Sequence, residues 1–204
     1  LVHAVANYSD GTFSNTAASS ATAAVAATGS VVINPVPADP GTPPGNINPQ
    51  IVGTGTDGSY VVAWQGKDAS GYYAIYVQKY NADGTPRGVY VKLEGDSLST
   101  SNDTAPRITA LGTSGQYVVT WVADADNSGA DKSVFVQKFN ADGTAAGAAS
   151  KFEKTGNTSY NEDFPRVAAL GTDGSFVVTA LNGTSELLLQ RYNSSGVAGT
   201  QSVL

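Results

Sequence analysis

The 204-residue chain contains no cysteine, no methionine and a single histidine, His3. The first absence removes disulfides, thiolate metal sites and thiol nucleophiles together, and leaves cysteine pairing silent about the redox compartment. With one histidine, close to the chain start, a Ser-His-Asp triad, a histidine general base and a histidine-rich metal site are set aside, and no enzymatic activity is expected. The lack of Met, even at position 1, is read as a processed end with a signal peptide removed, or as a start inside something longer. No apolar stretch reaches the roughly 18 residues of a helical span, so no membrane insertion is expected. Basic residues are scarce as well. The 11 Lys+Arg against 17 Asp+Glu leave a net charge of −6, with no basic stripe to neutralise nucleic-acid phosphates or anionic lipid.

What the chain has is glycine and small or β-branched residues: 23 Gly, much Ala, Ser, Thr and Val, and only 14% charged residues beside 41% hydrophobic ones. This composition favours strands and tight turns over helices, with enough apolar side chain for a core.

The dominant signal is internal repetition. Pro49-Gln-Ile-Val-Gly-Thr-Gly, Tyr60-Val-Val-Ala-Trp64 and Ile75-Tyr-Val-Gln-Lys-Tyr-Asn-Ala-Asp-Gly-Thr85 recur as Pro106-Arg-Ile-Thr-Ala-Leu-Gly, Tyr117-Val-Val-Thr-Trp121 and Val134-Phe-Val-Gln-Lys-Phe-Asn-Ala-Asp-Gly-Thr144. A third copy reads Pro165-Arg-Val-Ala-Ala-Leu-Gly, Phe176-Val-Val-Thr-Ala180 and Leu187-Leu-Leu-Gln-Arg-Tyr-Asn-Ser-Ser-Gly-Val197. The prolines stand 57 and 59 residues apart, the length of one supersecondary unit.

Turn chemistry divides each unit into strands. Asp57-Gly58, Ser114-Gly115 and Asp173-Gly174 predict a tight hairpin between the first two. Asn-Ala-Asp-Gly at 81–84 and 140–143, with Asn-Ser-Ser-Gly at 193–196, predicts a second turn leading to a weaker fourth strand such as Val89–Leu93. Each unit therefore reads as a four-stranded antiparallel meander in an all-β, propeller-blade-like array, with sandwich or solenoid stacking of the same units as the alternative. The prolines are expected at strand starts, where a missing N–H is harmless. On the third strand, alternation puts Tyr76, Gln78 and Tyr80 on one face and Ile75, Val77 and Lys79 on the other. Gln78, Gln137 and Gln190, set between bulky residues, are expected to bond neighbouring backbone.

The units resemble a repeat of very large bacterial secreted and cell-surface proteins of the adhesin and hemolysin-type class, with the pattern DGS[FY]VVxW…VQ[KR][FY]NADGT. The resemblance spans about residues 48–204, and Trp64 and Trp121 occupy its tryptophan position. The third unit departs from it, with Ala180 in place of Trp and a short Leu181-Asn-Gly-Thr-Ser-Glu loop, which suits a terminal unit. The resemblance implies an exported adhesin-like or matrix protein and no defined reaction.

Three segments follow: an extended Ala/Ser/Thr-rich arm over 1–34, a Pro/Gly-rich spacer over 35–47, and the repeats over 48–204, in units of about 48–104, 105–163 and 164–204. Three units are too few to close a propeller ring, which leaves an end face to cover. Val31, Val32 and Ile33 in the arm are the candidate strand for docking within the chain or on a neighbour; a disordered tail is the plain alternative.

Two ligand sites are expected candidates. Asp124, Asp126, Ser128 and Asp131 place oxygen ligands around a glycine bend, as a Ca²⁺ loop does, although Phe135 stands where a helix–loop–helix calcium site has Glu; a solvated acidic turn competes. Tyr72 and Tyr73 offer rings for stacking on a surface glycan, or for packing on the adjacent unit. Asn-x-Ser/Thr sequons begin at Asn7, Asn102, Asn157, Asn182 and Asn193. The functional expectation is an extracellular structural or adhesive protein, part of a surface fibre, sheath or giant adhesin. It would form homo-oligomers or polymers through its arm or end units. The alternative is a monomeric glycan- or surface-binding module.

Overall fold

The computed structural model describes residues 5–9, 14–18, 45–95, 102–124, 132–155, 161–183 and 186–204, and its chain divides into two compact units, Leu1–Ile33 and Asn34–Leu204. Among the described residues every regular element is a strand. Within residues 1–33, β1 (Val5–Ser9) and β2 (Ser14–Ala18) pair antiparallel from Val5↔Ala18 to Ser9↔Ser14, a hairpin that the reading of this arm as extended did not anticipate, although Asp10-Gly11 stands between the two strands. Val31, Val32 and Ile33 lie outside the described residues.

Residues 34–204 hold three separate four-stranded sheets, each an antiparallel meander in chain order. The first sheet is β3 (Ile47–Gly53), β4 (Tyr60–Lys67), β5 (Tyr73–Tyr80) and β6 (Val91–Leu93). The second is β7 (Thr104–Leu111), β8 (Gln116–Asp124), β9 (Lys132–Phe139) and β10 (Ser150–Phe152). The third is β11 (Glu162–Leu170), β12 (Ser175–Asn182), β13 (Glu186–Tyr192) and β14 (Ala198–Val203). The turns are those the sequence requires: Gly58, Gly115 and Gly174 take φ of 77, 84 and 86°, where a Cβ would be strained.

Prolines 49, 106 and 165 do not open their strands. Each sits within one, at a bulge where the register slips between Ile47 and Gln50, Thr104 and Arg107, and Asp163 and Arg166. The preceding residues Asn48, Ala105 and Phe164 adopt φ of 52, 52 and 53°. A left-handed Ala or Phe ahead of proline is strained backbone, and its threefold recurrence makes the bulge a fixed part of the unit. The slip keeps the ladder intact around a residue that has no N–H to give.

Sheets stack face on face, with the second between the other two. One face of the first sheet (Val61, Ala63, Ile75, Val77, Leu93) packs against Tyr117, Val119, Trp121, Phe135 and Phe139 of the second. The opposite face of the second (Val118, Val122, Val134, Val136, Phe152) packs against Phe176, Val178, Ala180, Leu188 and Tyr192 of the third. The first strands of successive units also lie together, β3 with β7 and β7 with β11, as inner strands of neighbouring blades do. Burial follows position in the stack: β4 is buried on both faces along its centre, whereas β12 alternates strictly between buried and half-exposed. On the first sheet's outer face Val62, Trp64, Tyr76 and Tyr80 are buried as well.

Candidate functional site

The two interfaces between sheets share one plan. The third strand presents its ring face to the preceding unit, and the rings stack in pairs across strands: Tyr117 on Phe139 at 4.8 Å, Trp121 on Phe135 at 5.7 Å, Phe176 on Tyr192 at 4.6 Å. Parallel stacking of this kind adds to simple area burial, about 1 kcal/mol a pair. Burial also raises the Tyr192 phenol to about 12, so it stays neutral. The interfaces carry defects as well, for the indole N–H of Trp121 and the hydroxyl of Thr120 are buried without a partner.

At the edge of each interface a cation crosses from one unit to the next. Lys79 extends the apolar face of Ile75 and Val77, is 3% exposed, and donates from Nζ to the carbonyl oxygens of Ala141 at 2.7 Å and Gly115 at 3.4 Å. Those oxygens belong to the two glycine turns of the second unit. Desolvation, with Arg87 second, pulls the Lys79 ammonium below its ordinary range, and the carbonyls compensate. Lys138 repeats the arrangement one unit on, donating to the Ser194 carbonyl in the third unit's turn. Arg191 occupies the same position in the third unit and is exposed.

A second tie runs the other way. The backbone N–H of Tyr73 donates to Asn102 Oδ1 at 2.9 Å, and that of Lys132 to Asn161 Oδ1 at 2.8 Å. Asn102 and Asn161 each stand at a junction between units, four residues before the proline of the following one. Asn–backbone straps and cation–carbonyl latches therefore clamp opposite ends of the same strand pair.

Glutamines 78, 137 and 190 do as expected. Their Nε2 groups donate to Lys79 O at 2.7 Å, Lys138 O at 2.7 Å and Gly199 O at 2.8 Å, and Gln137 also reaches Gly147 O at 3.1 Å. The recurrent turn aspartates are likewise consumed locally. Asp57, Asp83, Asp142 and Asp173 each accept from the backbone N–H two residues on, at 2.9–3.0 Å. The side-chain hydroxyls and backbone N–H groups of Ser59, Thr85, Thr144 and Ser175 hold these carboxyls below the usual range.

A cleft of about 240 Å³ lies between the first and second sheets, lined among others by Asp57, Ser59, Lys79, Arg87, Ser114 and Ala141. Its charges are largely occupied: Lys79 by the latch and Arg87 by Asp57 at 3.8 Å. Glu162 is the other buried ionisable group of note. It is 2% exposed, directly across from Asn182 at the start of β11. It accepts one backbone N–H, from Lys154 at 3.4 Å, and burial raises it from 4.5 to about 7.

The expected ligand residues fall apart in space or outside view. Asp126, Ser128 and Asp131 lie outside the described residues, as does the side chain of Asp124, whose backbone ends β8. Among the described residues no group of three or more His, Cys, Asp or Glu side chains gathers to hold a metal. Tyr72 is exposed in the β4–β5 loop, where its N–H binds Asp68 Oδ1 at 3.1 Å. Tyr73 is half-buried, with the Lys67 ammonium 5.6 Å from its ring centre. Asn182, one of the sequon asparagines, is buried and bonded to Glu186 Oε2 at 2.7 Å, which leaves no room for a glycan.

The latches and straps were not assigned from sequence, but both had signals. A Lys or Arg after each repeated Gln falls on the apolar face by alternation, and Asn recurs at a fixed offset from proline. Comparison with family models, with curated proteins and with solved structures finds no match.

Proposed function

We propose that this chain is an extracellular structural or adhesive element, a scaffold whose units work by packing against one another and which self-associates through an end unit. The observation that carries this reading is the recurrence of one interface kit. Apolar third-strand residues and a cation that donates into a glycine turn of the next unit are spent internally twice, at Lys79 and Lys138, and the matching cation, Arg191, is exposed. Catalysis has no comparable support, because the recurrent aspartates serve turns and the one histidine is His3.

Negative-stain electron microscopy with light scattering on the full chain tests the reading. Assemblies larger than one chain, growing in proportion with concentration, are expected. Single chains at every concentration up to several hundred micromolar overturn it.

A second reading, a monomeric glycan-binding module, rests on the exposed Tyr72 ring. It predicts saturable binding on a glycan array that is lost in Tyr72→Ala; absence of binding by the unaltered chain removes it.

A further inference from the structure

At one end of the interface between the second and third sheets, four side chains stand in a reactive order. Glu162, Asn182 and Glu186 form one row across β11, β12 and β13, since Asn182 pairs with Glu162 on one side and with Glu186 on the other. Cross-strand partners share a face, and by alternation from Val178 and Ala180 it is the face packed on the second sheet. Lys154, just past β10, spans the row. Its backbone N–H reaches the Glu162 carboxyl at 3.4 Å, and its Nζ reaches Glu186 Oε2 at 2.6 Å and Oε1 at 2.8 Å. Asn182 Nδ2 donates to that same Oε2 at 2.7 Å, whereas Asn182 Oδ1 is buried with no donor. Amine and amide nitrogen therefore meet on one carboxylate oxygen.

We infer that Lys154 and Asn182 join in an isopeptide bond, a covalent tie from the second unit to the third that forms once per chain and needs no co-reactant. It is independent of how the chain assembles. The two carboxyls are pushed towards opposite roles. Burial raises Glu162 to about 7, so it keeps its proton up to neutral pH, while hydrogen bonds from Lys154 and then Asn182 hold Glu186 below its ordinary range and ionised.

Glu186 takes one proton from the Lys154 ammonium, and the freed amine attacks Asn182 Cγ. Glu162 supplies the donor that Oδ1 lacks and stabilises the charge that grows there. A second proton from Nζ passes through Glu186 to Nδ2, the Cγ–Nδ2 bond breaks with its electron pair on nitrogen, and Oδ1 becomes a carbonyl again. Lysine ammonium and primary amide give secondary amide and ammonium, balanced in atoms and charge. Fixing amine, amide, acid and base in one row supplies the proximity that an amide exchange requires.

The first junction differs at all four positions. Asp103, Ala123, Ser133 and Gly95 stand where the second has Glu162, Asn182, Glu186 and Lys154. A carboxyl remains, but nucleophile, amide and base are gone. A Cβ on Gly95 would collide with that of Ala123, so the chain there runs directly over the middle of the row, the place that Asn182 takes beneath Lys154.

Intact-mass spectrometry of the denatured full chain, sampled over days at neutral pH after purification, tests the bond. The chain should be lighter than its sequence by one ammonia, and a tryptic digest should yield a branched peptide joining the Lys154 and Asn182 segments. Lys154→Arg, which can keep an ion pair with Glu186, and Asn182→Ala should restore the full mass; Glu162→Gln should slow closure at least about 100-fold. Folding is checked by circular dichroism, and Lys154→Arg, at a half-buried position, remains decisive if Asn182→Ala misfolds. A wild-type chain that keeps its full mass overturns the inference. An ammonia loss that persists in Lys154→Arg does so too, because it marks imide closure of Asn182 on Gly183 instead, as does an unchanged rate in Glu162→Gln. None of these outcomes bears on self-association. Stability profiles of Glu162 against pH are compared in the Lys154→Arg background, so that the bond does not enter them.

Discussion

Replacing Glu162 by Gln should change how stability depends on pH between about 4.5 and 8. The carboxyl is 2% exposed and its pKa is raised from 4.5 to about 7, chiefly by desolvation, which outweighs the N–H it accepts from Lys154 and is reinforced to a lesser degree by Glu153. A group raised in the folded state favours folding while protonated. Its contribution is complete below the unfolded value of 4.5 and is lost as pH rises through about 7. Each factor of ten in proton affinity is worth about 1.4 kcal/mol, so the loss approaches about 3 kcal/mol by pH 8. With no Cys and only His3 in the sequence, the usual titrations between pH 5 and 8 scarcely contribute. The aspartates of the turns and Glu186 have lowered values, and what they contribute is lost only at more acid pH. Urea unfolding followed by tryptophan fluorescence at pH 5, 6, 7 and 8 reads the effect. Wild type should weaken steadily, and Glu162→Gln should run flat and be the more stable protein at pH 8. Parallel profiles for the two would refute the burial argument.

Lys79→Glu puts a carboxylate against the carbonyl oxygens of Ala141 and Gly115 and should cost about 3 kcal/mol or more; Arg191→Glu, at the same position without a following unit, should stay within about 0.5 kcal/mol in dilute solution. Both are measured by urea denaturation. Thr120→Val removes a fully buried hydroxyl that has no partner and should raise stability by about 1 kcal/mol, seen as a Tm higher by a few degrees. Ala180→Trp restores the ring of the other units at a site 1% exposed and should destabilise by about 2 kcal/mol through overpacking; Phe152→Leu in the same chain should recover part of that loss in thermal melts.

The meanders were legible because each depends on local chemistry: a glycine at positive φ for each turn, and β-branched alternation between turns. Three sheets of four strands follow from that alone. The bulges were hidden because proline's missing N–H can be tolerated either by starting a strand or by slipping its register, and spacing does not separate the two. Ala180 shows a similar limit. It reads as a degenerate position in an end unit, yet it is buried and faces the second sheet, because the face that a unit exposes depends on which neighbour it has. Lys79 was visible on an apolar face without a reason to be there, and the reason is two carbonyl oxygens about forty and sixty residues on. Glu162 gave no sign at all, since its burial comes from the strand opposite and the sheet beneath.

The two internal interfaces are not copies of each other, and the difference argues that the order of units is written in side-chain volume. In the first, the bulk comes from the following unit as Trp121, and the preceding unit answers with Leu93, Ala63 and Val77. In the second, the following unit contributes only Ala180, and the ring is supplied from the preceding one as Phe152. Thr120 stands where the first unit has Ala63, shifting volume in the same direction. A third unit placed on the first would leave the space of the missing indole, while a second unit placed on its own kind would bring Trp121 against Phe152. Since an unfilled ring-sized space and an overpacked one each cost several kcal/mol, small exchanges of volume across an otherwise repeated surface are enough to reject wrong neighbours. The repeated backbone supplies the fit, and the unrepeated side chains decide which unit may take it.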